Sequence, residues 1–197
     1  MFPVPDGDTG ANMTSTLASG IETLKGYDKS FKDIGIHFNE ELNRCSRGNS
    51  GFILARFFHG FFEAIGDAGD LTSTGFLQGI SNGSYHVNGA LFSPVEGTMI
   101  SILSALRSAL LKVKPVEMSQ TLKLTDTICT EALFKTPKQL PVLARAGVVD
   151  SGALGLVFIF RGMLAAFTGS EPVKEEESDY RVEPDPDSGD AEEELPE

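Results

Sequence analysis

Cysteine is scarce in this chain. Cys45 and Cys129 stand alone, each inside an apolar helical pattern, with no Cys-x-x-Cys pair and no Cys/His cluster around them. That excludes a thiolate metal site and a disulfide framework, and it reads as two buried, inert thiols. Long uncharged apolar runs are also missing: no stretch reaches the roughly 18 residues expected of a membrane-spanning helix. The start of the chain lacks the basic-then-apolar order of a secretory signal, so the expected compartment is the cytoplasm. No internal repeat of the solenoid or propeller kind is present. Basic residues are few, 16 Lys and Arg against 28 Asp and Glu, but 13 of the acids and 2 of the bases fall in residues 171–197. Over residues 1–170, 15 acids therefore face 14 bases. This nearly neutral part forms no basic stripe, which argues against a nucleic-acid partner.

What the chain does have is helical periodicity. Met13, Leu17, Ile21 and Leu24 mark one apolar face; Phe31, Ile34, Phe38, Leu42 and Cys45 mark a second. Residues 52–65, with Phe52, Ile53, Phe57, Phe58, Phe61, Phe62 and Ile65, are apolar round enough of their surface to form a central helix. A weaker helix spans 73–91, loosened by Gly75, Gly79, Gly83 and Gly89, small residues that mark close helix contact. Further helices are expected over 97–113, 119–134, a short 136–146, and 151–167; the last is apolar enough to be a buried strand, but its length favours a buried helix. The expected fold is an all-α antiparallel bundle or helical barrel of about eight helices. It occupies residues 1–170 as one domain. Residues 171–197, rich in Glu, Asp and Pro, cannot offset their ordering entropy by burial and are expected to be a flexible acidic tail or linker.

The most informative stretch is Pro3-Val4-Pro5-Asp6-Gly7-Asp8-Thr9-Gly10-Ala11-Asn12-Met13. Two prolines disfavour helix just before Asp6, and glycines flank Asp8, so the backbone makes a tight loop that opens into the first helix. With only Gly7 between them, Asp6 and Asp8 can turn both carboxylates to one side, which suits a hard cation. Mg²⁺ takes oxygen ligands and is typically held by one or two carboxylates plus substrate phosphates. Thr9 and Asn12 are positioned to cap the new helix, whose unpaired N–H groups would face an anion. A bare Asp-Gly-Asp is more often only a surface turn. Three more loop-to-helix junctions share the character of the first: Arg47-Gly48-Asn49-Ser50-Gly51, Ser93-Pro94-Val95-Glu96-Gly97-Thr98, and Gly147-Val148-Val149-Asp150-Ser151-Gly152. Each alone is an ordinary cap. Together, at one end of an up-and-down bundle, they would make a ring of N–H donors around two acids.

These four blocks resemble, in order, the kinase domain shared by the L subunit of dihydroxyacetone kinase and the amino-terminal domain of bacterial fatty acid kinase; the Phe-Pro-Val-Pro lead-in is similar to the fatty acid kinase branch. The resemblance runs from Phe2 to about Phe167. It implies an eight-helix antiparallel barrel that binds ATP or ADP with Mg²⁺ at one end. By position, Asp6 and Asp8 would be the metal-holding, catalytic pair. Thr9, Gly10, Asn12 and Met13, then Gly48, Asn49, Ser50 and Gly51, then Gly97 and Thr98, and lastly Asp150, Ser151 and Gly152 would surround the nucleotide. The implied acceptor is a fatty acid carboxylate presented by a separate binding protein, and homodimer formation is compatible with the pattern. The related domains carry a third aspartate five residues before the first of the pair, where this chain has Met1, so one helix of the barrel is expected to be missing at the start. His37, His59 and His86 lie in helices remote in sequence from Asp6 and Asp8, which favours structural or surface roles.

Overall fold

The computed structural model describes residues 7–66, 70–114, 116–171 and 177–185. Among them are nine α-helices: α1 (Thr9–Thr23), α2 (Phe31–Cys45), α3 (Gly48–Ile65), α4 (Ser73–Ala90), α5 (Met99–Leu110), α6 (Met118–Leu133), α7 (Thr136–Gln139), α8 (Pro141–Ala146) and α9 (Ser151–Thr168). No strand occurs among the described residues; one isolated bridge joins Val148 to Arg181. The all-helical reading therefore holds, and residues 151–168 are helix rather than strand. The short helix expected over 136–146 is two helices, broken at Leu140 (φ −129°, ψ 102°) because Pro141 disfavours helical backbone in the residue before it.

Neighbouring helices close on themselves. α1 packs on α2, α3 and α9, α3 on α4, α4 on α5, and α5 and α6 on α9. Two glycine contacts illustrate how closely the helices approach. A Cβ on Gly83 of α4 would lie 2.6 Å from the Phe57 carbonyl of α3, and one on Gly20 of α1 would lie 2.3 Å from Leu42 Cδ1 of α2. Gly79, whose Cβ would meet the Phe61 ring at 2.6 Å, completes the α3–α4 seam, whereas Gly89 faces open space. Of the four glycines of α4, Gly79 and Gly83 thus mark close contact, whereas Gly75, whose Cβ would lie 3.8 Å from Ile65, and Gly89 at the two ends do not.

The core is aromatic and led by α3. Phe57 meets Phe58, Phe160 and Phe61 at centroid distances of 5.3, 6.1 and 6.0 Å, the first two edge-on, and Phe76 stands edge-on to Phe61 at 5.8 Å. Edge-to-face pairs of this kind add stability beyond the burial of their area. Cys129 is fully buried and Cys45 half-buried, both as free thiols.

Two segments depart from a simple reading. First, α9 has the length and hydropathy of a membrane-crossing helix, though Arg161 interrupts it, so it is no uncharged apolar run. It packs on α1, α5 and α6 instead, with Leu156, Val157 and Phe160 buried. Its one charged residue, Arg161, donates to Asp126 Oδ1 (2.7 Å) and Thr130 Oγ1 (2.9 Å) of α6. Second, the acidic stretch 171–197 is not solvated throughout. Residues 177–185 return to the helices through a 3₁₀ turn, Glu177–Tyr180, because Tyr180 finds an aromatic niche and is 7% exposed. Residues 172–176 and 186–197, for which flexibility was expected, lie outside the described residues.

Candidate functional site

At the start of α1, Gly7 adopts φ +54° and Asp8 takes the cap position. Thr9 is the first helical residue and Asn12 lies within the first turn, so neither caps the helix as the sequence suggested. Nor does the Asp8 side chain bond a helix amide. Its backbone (φ −95°, ψ −4°) is helical rather than extended, which turns the carboxylate away from the N–H groups. Instead Asp8 Oδ2 accepts from Asn12 Nδ2 at 2.8 Å, and the carboxylate is exposed. Asp6 lies outside the described residues.

The start of α3 abuts the same amide. Gly48 has φ +60°, and a Cβ there would sit 2.7 Å from Asn12 Nδ2, so glycine is favoured on two counts. Arg47 occupies the cap position without a side-chain cap, leaving Asn49 and Ser50 in the first turn. Thr16, fully buried, ties the two starts together: its hydroxyl donates to the Asn12 carbonyl (2.7 Å) and accepts from Arg47 N (3.2 Å). A Cβ on Gly51 would be 2.5 Å from that hydroxyl oxygen. Thr16 was not singled out in the sequence. Its only signal there is its place one turn beyond Asn12.

The other two junctions join this end through methionines. Met13 of α1, buried, lies where a Cβ on Gly155 of α9 would be 2.5 Å from its Cε; Met99 of α5 lies 2.8 Å (Cγ) from the corresponding point on Gly152 of α9. The starts of α1, α3, α5 and α9 therefore share one rim. Their electrostatics differ. Thr98 caps α5 by accepting from Ile100 N (3.3 Å), and its own hydroxyl donates to the Val95 carbonyl (2.7 Å). Asp150 caps α9 by accepting from Ala153 N at 2.7 Å. Gly97, at φ +84°, backs onto Leu140 and Thr136. Burial pushes the Asp150 carboxyl up to about 6, against the opposing pull of the Ala153 and Gly152 amides. Thr98 and Asp150 are thus buried and committed to their own helices, Met13 is core, and Ser151 is exposed. At α1 and α3 no side chain fills that role, so the unpaired positive ends of these two helices lie beside the Asp8 carboxylate.

No group of three or more His, Cys, Asp or Glu side chains converges on a metal-sized gap among the described residues. The histidines lie elsewhere. His37 stacks on Tyr27, and His86, edge-on to His59, contacts Glu63 at 2.8 Å. A groove of about 420 Å³ between α2 and α3, lined by Phe31, Ile36, Asn39 and Phe62 among others, is also remote from the rim.

Comparison with known proteins finds relatives that match most of the chain. An uncharacterized protein of Mycoplasma genitalium is 35% identical over 179 residues, covering 86% of this chain and 32% of its own length. One from Staphylococcus saprophyticus is 35% identical over 173 residues (86% and 31%), and Protein YloV of Bacillus subtilis is 33% identical over 172 residues (86% and 31%). The chain thus spans about a third of the length of these relatives. Residues 3–165 match the DAK2 domain, a span that takes in all four helix starts of the rim, and the chain belongs to the DAK2 domain family.

Proposed function

We propose that this domain binds the polyphosphate of Mg²⁺·ATP on the four-helix rim and serves an ATP-dependent phosphotransferase. The observation that carries the reading is the pair of α1 and α3 starts, touching through Asn12 and Gly48 and lacking side-chain caps, beside an exposed carboxylate at Asp8. The donor set suits a hard cation: carboxylate oxygen is the ligand Mg²⁺ prefers, and one or two carboxylates suffice when phosphates complete the shell. Asp8, with Asp6 two residues before it, would hold that ion, which would supply neutralisation of the phosphate charge.

The chain's own groups do the rest. First-turn amides of α1 and α3 receive phosphate oxygens. Asn12 orients the Asp8 carboxylate through its 2.8 Å bond, and Gly48 keeps the α3 backbone within reach of Asn12. Phosphoryl transfer asks mainly for positioning and charge stabilisation, so the absence of a nucleophile–base pair among the described residues of the rim is no obstacle. The acceptor, in this reading, is the carboxylate of a fatty acid presented by a separate carrier protein, and the product an acyl phosphate. Its support is the Phe-Pro-Val-Pro lead-in and the Val-Val-Asp-Ser-Gly block.

The DAK2 match favours a second reading of the acceptor alone, a small hydroxyketone as in dihydroxyacetone kinase-like L domains. Calorimetric titration with ATP in the presence and absence of Mg²⁺ tests the shared part: Asp8→Ala and Asp6→Ala should each weaken Mg²⁺-dependent binding at least tenfold. Equal heats from wild type and both variants would refute it. ADP release with a fatty acid carrier against a dihydroxyacetone carrier separates the two acceptors.

A further inference from the structure

Residues 177–185 are tied to the helices at two levels. The Tyr180 ring is stacked on Phe134 (6.3 Å, 15°) and edge-on to Phe158 (5.8 Å, 88°). Its hydroxyl accepts from Arg161 Nη1 at 2.7 Å, and Arg161 is itself fixed to Asp126 and Thr130 of α6. Beyond this anchor the chain crosses the turn between α8 and α9. Arg181 bridges to Val148, Val182 N donates to the Gly147 carbonyl (3.0 Å), and Asp185 N donates to the Ala144 carbonyl (3.1 Å). Pro184 presses on Gly147, where a Cβ would come within 2.8 Å of the proline ring. Gly147 has φ +65°, so the turn pivots on a residue that the crossing segment covers.

That turn ends in Asp150, the cap of α9. Its amide donates to Thr136 Oγ1 (3.1 Å), so the turn is held from α7 on one side and from residues 181–185 on the other. Releasing the outer hold would leave the Gly147 pivot, and with it the start of α9, free to shift relative to Met99 and Met13.

We propose that residues 177–185 are a docked strap, anchored by Tyr180, that positions the α9 start, so that strap docking and polyphosphate occupancy of the rim favour one another. The coupling rests on the reading of the rim given above. Tyr180 is a positioning residue in this account: it acts through Arg161 and the 147–150 turn and touches no ligand. Because linkage is reciprocal, a ligand at the rim must also tighten the strap.

The full 197-residue chain tests this with two variants. Tyr180→Ala removes the anchor; Val182→Pro keeps Tyr180 but deletes the N–H that binds the Gly147 carbonyl, and so covers the case in which Tyr180→Ala fails to fold. Each should weaken Mg²⁺·ATP binding about tenfold, within the usual range of coupling between sites, and should speed amide exchange at Ala153 and Leu154. Tyr180→Phe, which keeps the ring but loses the bond from Arg161, should bind with an affinity between those of Tyr180→Ala and the wild type. In the wild type, Mg²⁺·ATP should slow exchange at the Val182 and Asp185 amides several-fold, which a strap with a purely structural role would not show. Variant affinities within twofold of wild type, alongside a large loss in Asp8→Ala, would overturn the strap proposal and leave the rim reading standing. A wild type that binds no Mg²⁺·ATP would refute the rim reading; exchange at Ala153 and Leu154 then judges the strap by itself, faster exchange in the variants supporting it and unchanged exchange overturning it.

Discussion

Gly48→Ala probes the junction of α1 and α3 directly, and its magnitude can be worked from two terms. The first is backbone strain: Gly48 sits at φ +60°, where an L-residue costs about 1–2 kcal/mol. The second is the new Cβ, 2.7 Å from Asn12 Nδ2. That amide is the end of a side chain and can swing aside, but doing so breaks its bond to Asp8, worth about 0.5–1 kcal/mol at an exposed site. The expected loss is therefore about 1.5–3 kcal/mol, or roughly 4–10 °C in Tm for a domain of this size. Gly10→Ala is the control on the same rim. Gly10 has no positive φ, nothing lies within 4 Å of its Cβ position, and it is helical, so alanine there should raise stability by up to about 1 kcal/mol. Thermal and urea unfolding of the two variants check the pair. Equal shifts in the same direction would show that the α1–α3 contact is not as described.

Two further outcomes follow from buried groups. Asp150 binds its proton more tightly when folded, with its carboxyl raised from 3.8 to about 6 by burial, so the folded state holds more protons than the unfolded between those values and stability falls as pH rises through them. The stability difference between wild type and Asp150→Asn, read by urea unfolding, should shrink by about 2–3 kcal/mol from pH 4 to pH 7; a pH-independent difference would refute it. Burial also pushes the Cys129 thiol up, so an aromatic disulfide reagent should titrate Cys45 alone in the native protein and both thiols after unfolding. Two fast-reacting native thiols would contradict the packing.

Most of the helices were legible because their apolar residues repeat at helical spacing, and some of those stripes end at a glycine, as at Gly66 and Gly169. What was misread lies where tertiary contacts override local chemistry. Thr9 and Asn12 look like caps because of their residue types, yet Asp8 precedes both, and Asn12 is drawn instead to the Asp8 carboxylate. Thr98 and Asp150 also cap their own helices, accepting from Ile100 N and Ala153 N, a role the motif by itself does not reveal. Tyr180 and Val182 are too few to lift the composition of an acidic stretch above the level of a disordered tail. Their niche is built from Phe134, Phe158 and Arg161, which the sequence does not place beside them.

The uneven capping of the rim leads to a test in which stability and binding should move in opposite directions. Arg47 stands at the cap position of α3 with extended backbone (φ −122°, ψ 134°), the conformation a capping serine adopts. Arg47→Ser should supply an oxygen to a first-turn amide of α3 and gain about 1 kcal/mol over Arg47→Ala, which loses the same positive charge without providing a cap. If those amides serve a polyphosphate, the serine that satisfies them also competes with it, so Arg47→Ser should be the more stable variant and the weaker binder of Mg²⁺·ATP, by about threefold to tenfold. Urea unfolding and calorimetry on the pair measure both. Were Arg47→Ser both more stable and equal in affinity to Arg47→Ala, the α3 amides would be no part of the binding surface, and the positive end of α3 would have to be satisfied by water alone.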